Sequence, residues 1–235
     1  MKHKYLREDT DAEGPVLDRR LAVILLLLLA SGTALTLAAY EFGVFKFDLQ
    51  IAAMLRDLEA PVFEALMAAI SFLGDGWVPV IIVLAVAAFW AFRKGWLEAA
   101  FVIATLSAGV LAGVLKVLVG RPRPPSFTLQ PRDLFESFNQ YAYPSGHVLI
   151  FVVFYGLVAY LSWKYLEGRS RWGVIAVCAA LILLIGPSRI VMGEHWASDV
   201  IGSYIIGTLW LIILVLLYLM VLYRRTGGTE GSPIH

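Results

Sequence analysis

YIIGTLWLIILVLLYLMVLY, residues 204–223, runs through twenty positions without a charged side chain and then meets Arg224-Arg225. A helix crossing a bilayer needs about 20 apolar residues, so this stretch reads as the core of a transmembrane span beginning near residue 197. The rest of the chain has the same character. Its 235 residues are 60% hydrophobic and 16% charged, against about 45–50% and about 25% in soluble domains. The net charge of +1 leaves no basic face for a nucleic acid once the membrane-flanking residues are set aside. Cys178 is the single cysteine and lies in an apolar run, which excludes a disulfide framework and a cysteine-based metal site.

Outward from residues 197–223, five more spans are expected, at 21–44, 77–92, 96–119, 147–163 and 172–185. The first follows Arg19-Arg20 and is longer than the apolar core of a signal peptide, about 7–15 residues, so it reads as an uncleaved anchor. The fifth is expected to stop at Gly186-Pro187. Residues 48–73 mix apolar positions with Arg56, Asp57, Glu59 and Glu64 and contain Pro61, a pattern that fits helices lying on the membrane interface. Trp77, Trp163, Trp172 and Trp196 sit near span ends, as an interfacial aromatic belt requires. The expected fold is all-α: a polytopic membrane helix bundle of six transmembrane helices plus interfacial helices. Residues 21–225 form its one domain, between an N-terminal tail (1–20) and a C-terminal tail (226–235).

With six alternating spans, Lys2, Lys4, Arg7, Arg19, Arg20, Arg93, Lys94, Lys164, Arg169, Arg171, Arg224 and Arg225 fall on one side. The positive-inside rule makes that side, with both termini, cytoplasmic. The other side is poorer in positive charge, and most of its cations cluster in two places that topology does not explain.

Three stretches converge there: KVLVGRPRP (116–124), YPSGH (143–147) and SRIVMGEHWASD (188–199). Lys116 offers a point charge, and Arg123 and Arg189 offer planar forks suited to phosphate oxygens. Ser145 and Gly146 open a helix whose free N–H groups favour an anion. The only histidines outside the tails are His147 and His195. His195 and Asp199, four apart, would share a helix face, the carboxylate accepting from one ring N–H and leaving the other nitrogen as a nucleophile. His147 could protonate the departing oxygen. These are the parts of a metal-free phosphoryl transfer.

The order and spacing of Lys116, Arg123-Pro124, Pro144-Ser145-Gly146-His147, Ser188-Arg189, His195 and Asp199 resemble the three-part signature of the type 2 phosphatidic acid phosphatase superfamily. The layout is similar to its integral-membrane branch over roughly residues 20–225. The resemblance implies that His195 forms a phosphohistidine, that Asp199 orients it, and that His147 is the general acid and later helps water attack. It implies that Lys116, Arg123, Ser145, Gly146, Ser188 and Arg189 hold the phosphate, with no metal and no cofactor. The family includes phosphatases of phosphatidic acid, phosphatidylglycerophosphate, undecaprenyl pyrophosphate and lipid A. The implied function is a lipid phosphate or pyrophosphate hydrolase of the plasma membrane, with its site on the extracytoplasmic side, membrane lipids around it and no protein partner implied.

Other readings stand beside this one. A lipid-to-lipid phosphotransferase would use the same residues, an alcohol replacing water. A transporter would carry ionisable groups along a path, whereas here the mid-span positions are almost free of them. His147, Glu194, His195 and Asp199 could ligate a metal, but the neighbouring cations repel Zn²⁺ or Mg²⁺. Arg121 is read as a rim charge, Glu194 as solvated, Asp75 in the LGDG turn as a turn residue, and loop 125–143 as a cap bringing Phe127, Phe135, Phe138 and Tyr141 over the site.

Overall fold

The computed structural model describes residues 18–56, 60–125 and 140–227. Their helices are α1 (Arg19–Phe42), α2 (Lys46–Arg56), α3 (Pro61–Phe72), α4 (Val78–Arg93), α5 (Trp96–Ala104), α6 (Ser107–Val119), α7 (Gly146–Tyr165), α8 (Gly168–Val191) and α9 (Ala197–Gly227). No strand occurs among the described residues, and one isolated bridge joins Pro122 to Tyr141. The expected tails fall largely outside the described residues, as do Phe127, Phe135 and Phe138.

Five helical stretches are long and apolar enough to cross a membrane: α1, Trp96–Val119, α7, α8 and α9. The remaining expected span is α4, which at 16 residues is shorter than the usual length of about 20. Large apolar side chains cover the outside, including Leu26, Leu27, Ile81, Phe92 and Leu183. A soluble monomer does not present such an extensive apolar surface; the chain is an integral membrane protein. The stretch Trp96–Val119 is two helices because Thr105 and Ser107 turn their hydroxyls onto the carbonyls of Val102 and Ala104, each at 2.6 Å, which competes with the helical ladder at that point.

The central helix is α7. It packs against α5, α6, α8 and α9, and more than half of its most apolar window is buried. Phe154, Leu157 and Leu161 meet Val83, Ala87 and Trp90 of α4 and Tyr218 of α9. One or two turns away, Val148, Phe151 and Val152 meet Met67 and Ile70 of α3 and Ile185 of α8. Thus α3 is packed onto α8.

Gly186-Pro187 does not stop α8, which continues to Val191. Proline removes one ladder donor and clashes with the preceding turn, but Tyr204 of α9 repairs the gap. Its hydroxyl donates to the Ile182 carbonyl at 2.6 Å and accepts from Gly186 N–H at 3.2 Å. A Cβ at Gly186 would lie 2.6 Å from that hydroxyl, so the close approach requires glycine. The continued helix carries Ser188 and Arg189 to the end of the bundle.

Candidate active site

Each segment of the site is positioned by local backbone hydrogen bonds. Gly120, at φ 63°, ends α6 and returns its N–H to the Lys116 carbonyl at 2.9 Å. Ala142 N–H then donates to the Arg121 carbonyl at 2.8 Å, which brings residues 121–125 beside the start of α7. After α8 the chain folds back at Gly193, and the N–H groups of Glu194 and His195 both donate to the Arg189 carbonyl at 3.1 and 3.2 Å. His195 is thereby set beside Arg189. Asp199, in the first turn of α9, accepts from Trp196 N–H at 2.8 Å, a carboxylate at a helix N-terminus.

These segments surround a cavity of about 750 Å³, and six of the nine expected site residues line it: Lys116, Arg123, Gly146, His147, Arg189 and His195. The other wall is apolar, with Pro79 and Val80 of α4, Val110, Val114 and Val117 of α6, and Ile150 of α7. Val110, Val114 and Val117 are each more than half exposed, so the cavity is open along α6. Ser145, Ser188 and Asp199 are buried but do not line it. The Ser188 hydroxyl donates to the Ile185 carbonyl of its own helix at 2.8 Å. Ser145 N–H donates to Ser203 Oγ at 2.7 Å, and its own Oγ is buried with no hydrogen-bond partner among the described residues.

His195 is buried at the charged end. It precedes α9 by two residues, so it does not share a helix face with Asp199 as the spacing suggested. Its Nδ1 lies 3.6 Å from Asp199 Oδ2, too long for a hydrogen bond. Burial, then the charges of Arg123, Lys116 and Arg189 and the neighbouring His147, hold its pKa well below the ordinary imidazole value. The ring is therefore neutral, with a lone pair available.

Four acidic or basic residues read as peripheral, or not singled out, in the sequence are built into this end of the bundle. Arg121 is not a rim charge. It is buried, donating through Nη2 to Asp48 at 2.7 Å and through Nη1 to Ser198 at 2.7 Å and to Asp199 Oδ1. Asp48, buried in α2, also accepts from Ser198 N–H and Oγ, each at 2.8 Å. Glu194 is not simply solvated: its carboxylate pairs with Arg189 and lies 3.6 Å from Arg123 Nη1. Asp75 is more than a turn residue, with Oδ1 2.8 Å from His147 Nε2 and 3.8 Å from Arg189 Nη1. The sequence signal for Arg121 is its repetition of the Arg-Pro pattern; for Asp75 it is a carboxylate between two glycines. Trp196 also departs from expectation: it is buried, its indole N–H donating to the Pro122 carbonyl at 3.0 Å, rather than standing in an interfacial belt.

The PAP2 superfamily family model matches residues 97–223, which span all three segments. Among curated proteins, the chain is 27% identical over 156 residues to phosphatidylglycerophosphatase B of Bacillus subtilis, covering 65% of this chain and 73% of that one. It is 28% identical over 193 residues to undecaprenyl-diphosphatase of Sulfolobus acidocaldarius, covering 79% and 85%. Among solved structures, a transmembrane PAP2 type phosphatidylglycerolphosphate phosphatase from Bacillus subtilis superposes with a TM-score of 0.69 at 21% identity, over 90% of this chain and 98% of that one. That likeness is one of fold.

Proposed function

The chain belongs to the PAP2 superfamily, and from that premise we propose that it removes the terminal phosphate from a lipid phosphate or pyrophosphate through a phosphohistidine. The observation that carries this reading is the single cavity in which Lys116, Arg123 and Arg189 face His147 and His195 at one end while apolar side chains line the other. A charged group with several oxygens suits the first end. A hydrocarbon chain suits the second. A lipid presents both at once, and a water-soluble phosphate presents only one.

In this mechanism the two guanidinium groups, the Lys116 ammonium and the free N–H groups at the start of α7 hold the phosphoryl oxygens, and they stabilise the charge that develops on them. His195 attacks phosphorus. Asp199, held from behind by Arg121 and by Trp196 N–H, lies 3.6 Å from His195 Nδ1, and its charge stabilises the cationic form of the ring. His147 gives a proton to the departing oxygen, then takes one from the water that cleaves the phosphohistidine. Three cationic side chains at the reacting end disfavour a divalent metal there, so the proposed chemistry is metal-independent. The charge pattern of the connecting segments supports cytoplasmic termini and a site on the opposite side, by the positive-inside rule. Several lipids would satisfy the same cradle: the two curated relatives are named for phosphatidylglycerophosphate and undecaprenyl diphosphate.

The test is phosphate release from a panel of purified lipid phosphates and pyrophosphates in detergent, with and without EDTA. Release that persists in EDTA and is abolished in His195→Ala supports the reading. Loss of activity on adding EDTA removes the metal-independent mechanism. Transfer of the phosphate to an added acceptor lipid, in place of its release, would make the protein a phosphotransferase.

A further inference from the structure

His195 has Asp199 behind it; His147 has a carboxylate of its own. Asp75 Oδ1 lies 2.8 Å from His147 Nε2, and the turn between α3 and α4 is shaped to put it there. Gly74 N–H donates to the Ser71 carbonyl at 2.9 Å, Asp75 N–H to Phe72 at 3.1 Å, and Val78 N–H to Asp75 at 3.1 Å, fixing the loop. Its backbone then approaches the imidazole so closely that a Cβ at Gly74 would sit 2.1 Å from His147 Cδ2. Ser71, one turn earlier, accepts from Arg189, which ties the same loop to the phosphate-facing side of α8.

We propose that Asp75 is the positioning residue of His147, pairing with it to hold the imidazolium that protonates the departing oxygen. This rests on the general-acid role given to His147 above. The groups facing His147 are Asp75 from the α3–α4 turn, Arg189 from α8, Lys116 from α6 and His195 from the α8–α9 turn. Two of these are cations that disfavour a charged ring, and Asp75 supplies the opposing negative charge at hydrogen-bond distance. As the bond from His195 to phosphorus forms, the bond from phosphorus to the departing oxygen breaks, and its electron pair stays on that oxygen. The proton moves from His147 to the same oxygen, leaving a neutral ring beside the Asp75 carboxylate. Later a water gives a proton of its own to the neutral His147 ring as its oxygen bonds to phosphorus; the phosphorus–His195 bond breaks and its electron pair returns to the His195 imidazole.

A carboxylate that serves proton donation matters in proportion to how badly the departing group needs a proton. An alkoxide leaving from a lipid monoester needs it most, and 4-nitrophenolate needs it least. The experiment measures kcat/KM, which reports the step that expels the leaving group, for wild type, Asp75→Asn, Asp75→Glu and His147→Gln. The substrates are phosphatidic acid, phenyl phosphate and 4-nitrophenyl phosphate in the same detergent, with thermal melting to confirm folding. Asp75→Asn should lower kcat/KM about ten- to a hundredfold on phosphatidic acid, with a loss several times smaller on 4-nitrophenyl phosphate and mainly in kcat. Asp75→Glu should recover part of the difference.

Equal losses by Asp75→Asn on all three substrates, with a graded loss in His147→Gln, would overturn the role of Asp75 alone: the residue would then only support Arg189. A flat profile in His147→Gln as well would overturn the general-acid reading on which this rests. A gain in activity in Asp75→Asn would show that the carboxylate competes with substrate for His147, and would overturn the proposal.

Discussion

Arg121 donates through Nη1 to Asp199 Oδ1 while its Nη2 donates to Asp48 at 2.7 Å, so one buried guanidinium ties α2 to the first turn of α9. Its Nε donates to the Gly43 carbonyl at 2.6 Å, which adds the end of α1. Asp199 thus has its two oxygens engaged, one by Arg121 and one by Trp196 N–H, and its orientation toward His195 is set by groups that do not line the cavity.

Removing that guanidinium leaves two buried carboxylates without their counter-charge. Breaking a buried pair by deleting one partner costs about 3–5 kcal/mol. Arg121→Met is therefore expected to unfold at markedly lower temperature or denaturant concentration in detergent, and Arg121→Lys at an intermediate one. Unfolding followed by circular dichroism checks this; an Arg121→Met melt within a degree or two of wild type would refute the network's structural weight.

Glu194 holds its carboxylate against Arg189 and close to Arg123, the two forks assigned to phosphate. On the proposed function, a substrate phosphate displaces it. Glu194→Gln removes the competing charge, and the expected outcome is a KM about threefold to tenfold lower, with vanadate inhibiting more tightly. An unchanged or higher KM would mean that Glu194 aligns the arginines rather than competing for them.

Gly74 leaves room for the His147 ring, and a methyl group there must push the ring or the turn aside. Gly74→Ala is expected to lose at least about tenfold in kcat while remaining folded. Steady-state kinetics beside a melting curve separates this from a global defect.

The burial of His195, and then the cations around it, lower its pKa well below the ordinary imidazole value. The sign follows directly: a lowered pKa means that protonation comes only at lower pH, so the ring stays neutral and nucleophilic as the pH falls through about 6.5. Nitrogen-15 NMR of histidine-labelled protein, assigned by comparison with His195→Gln, should show a neutral His195 ring at pH 6. A titration midpoint at or above about 6.5 would contradict this electrostatic description.

Much of this structure is written in local sequence. Apolar runs place α1, α7 and α9 within a few residues, because a span's length and oiliness are intrinsic to the segment. The cavity residues Lys116, Arg123, His147, Arg189 and His195 are legible for a different reason, since helix ends in an antiparallel bundle fall at common depths. Long-range pairings are not legible. Gly186-Pro187 reads as a helix end because the repairing hydroxyl belongs to Tyr204, 18 residues away from Gly186. Asp48 reads as interfacial because its counter-charge, Arg121, is 73 residues further on. Asp75 reads as a turn residue because it is one, and only the approach of α7 gives its carboxylate a histidine. Ser188 is legible as a motif member, yet in this structure its hydroxyl turns back onto its own helix.

The central claim is that one cavity presents a phosphoryl group to His195, and trapping the covalent adduct tests it most directly. The protein is mixed with a lipid phosphate labelled in its terminal phosphate, quenched in base within milliseconds, digested and mapped by mass spectrometry. The account predicts label on His195 as an acid-labile, base-stable phosphohistidine, formed in the presence of EDTA and absent from His195→Ala. Rapid phosphate release with no adduct at His195, or an adduct on another residue, would contradict it.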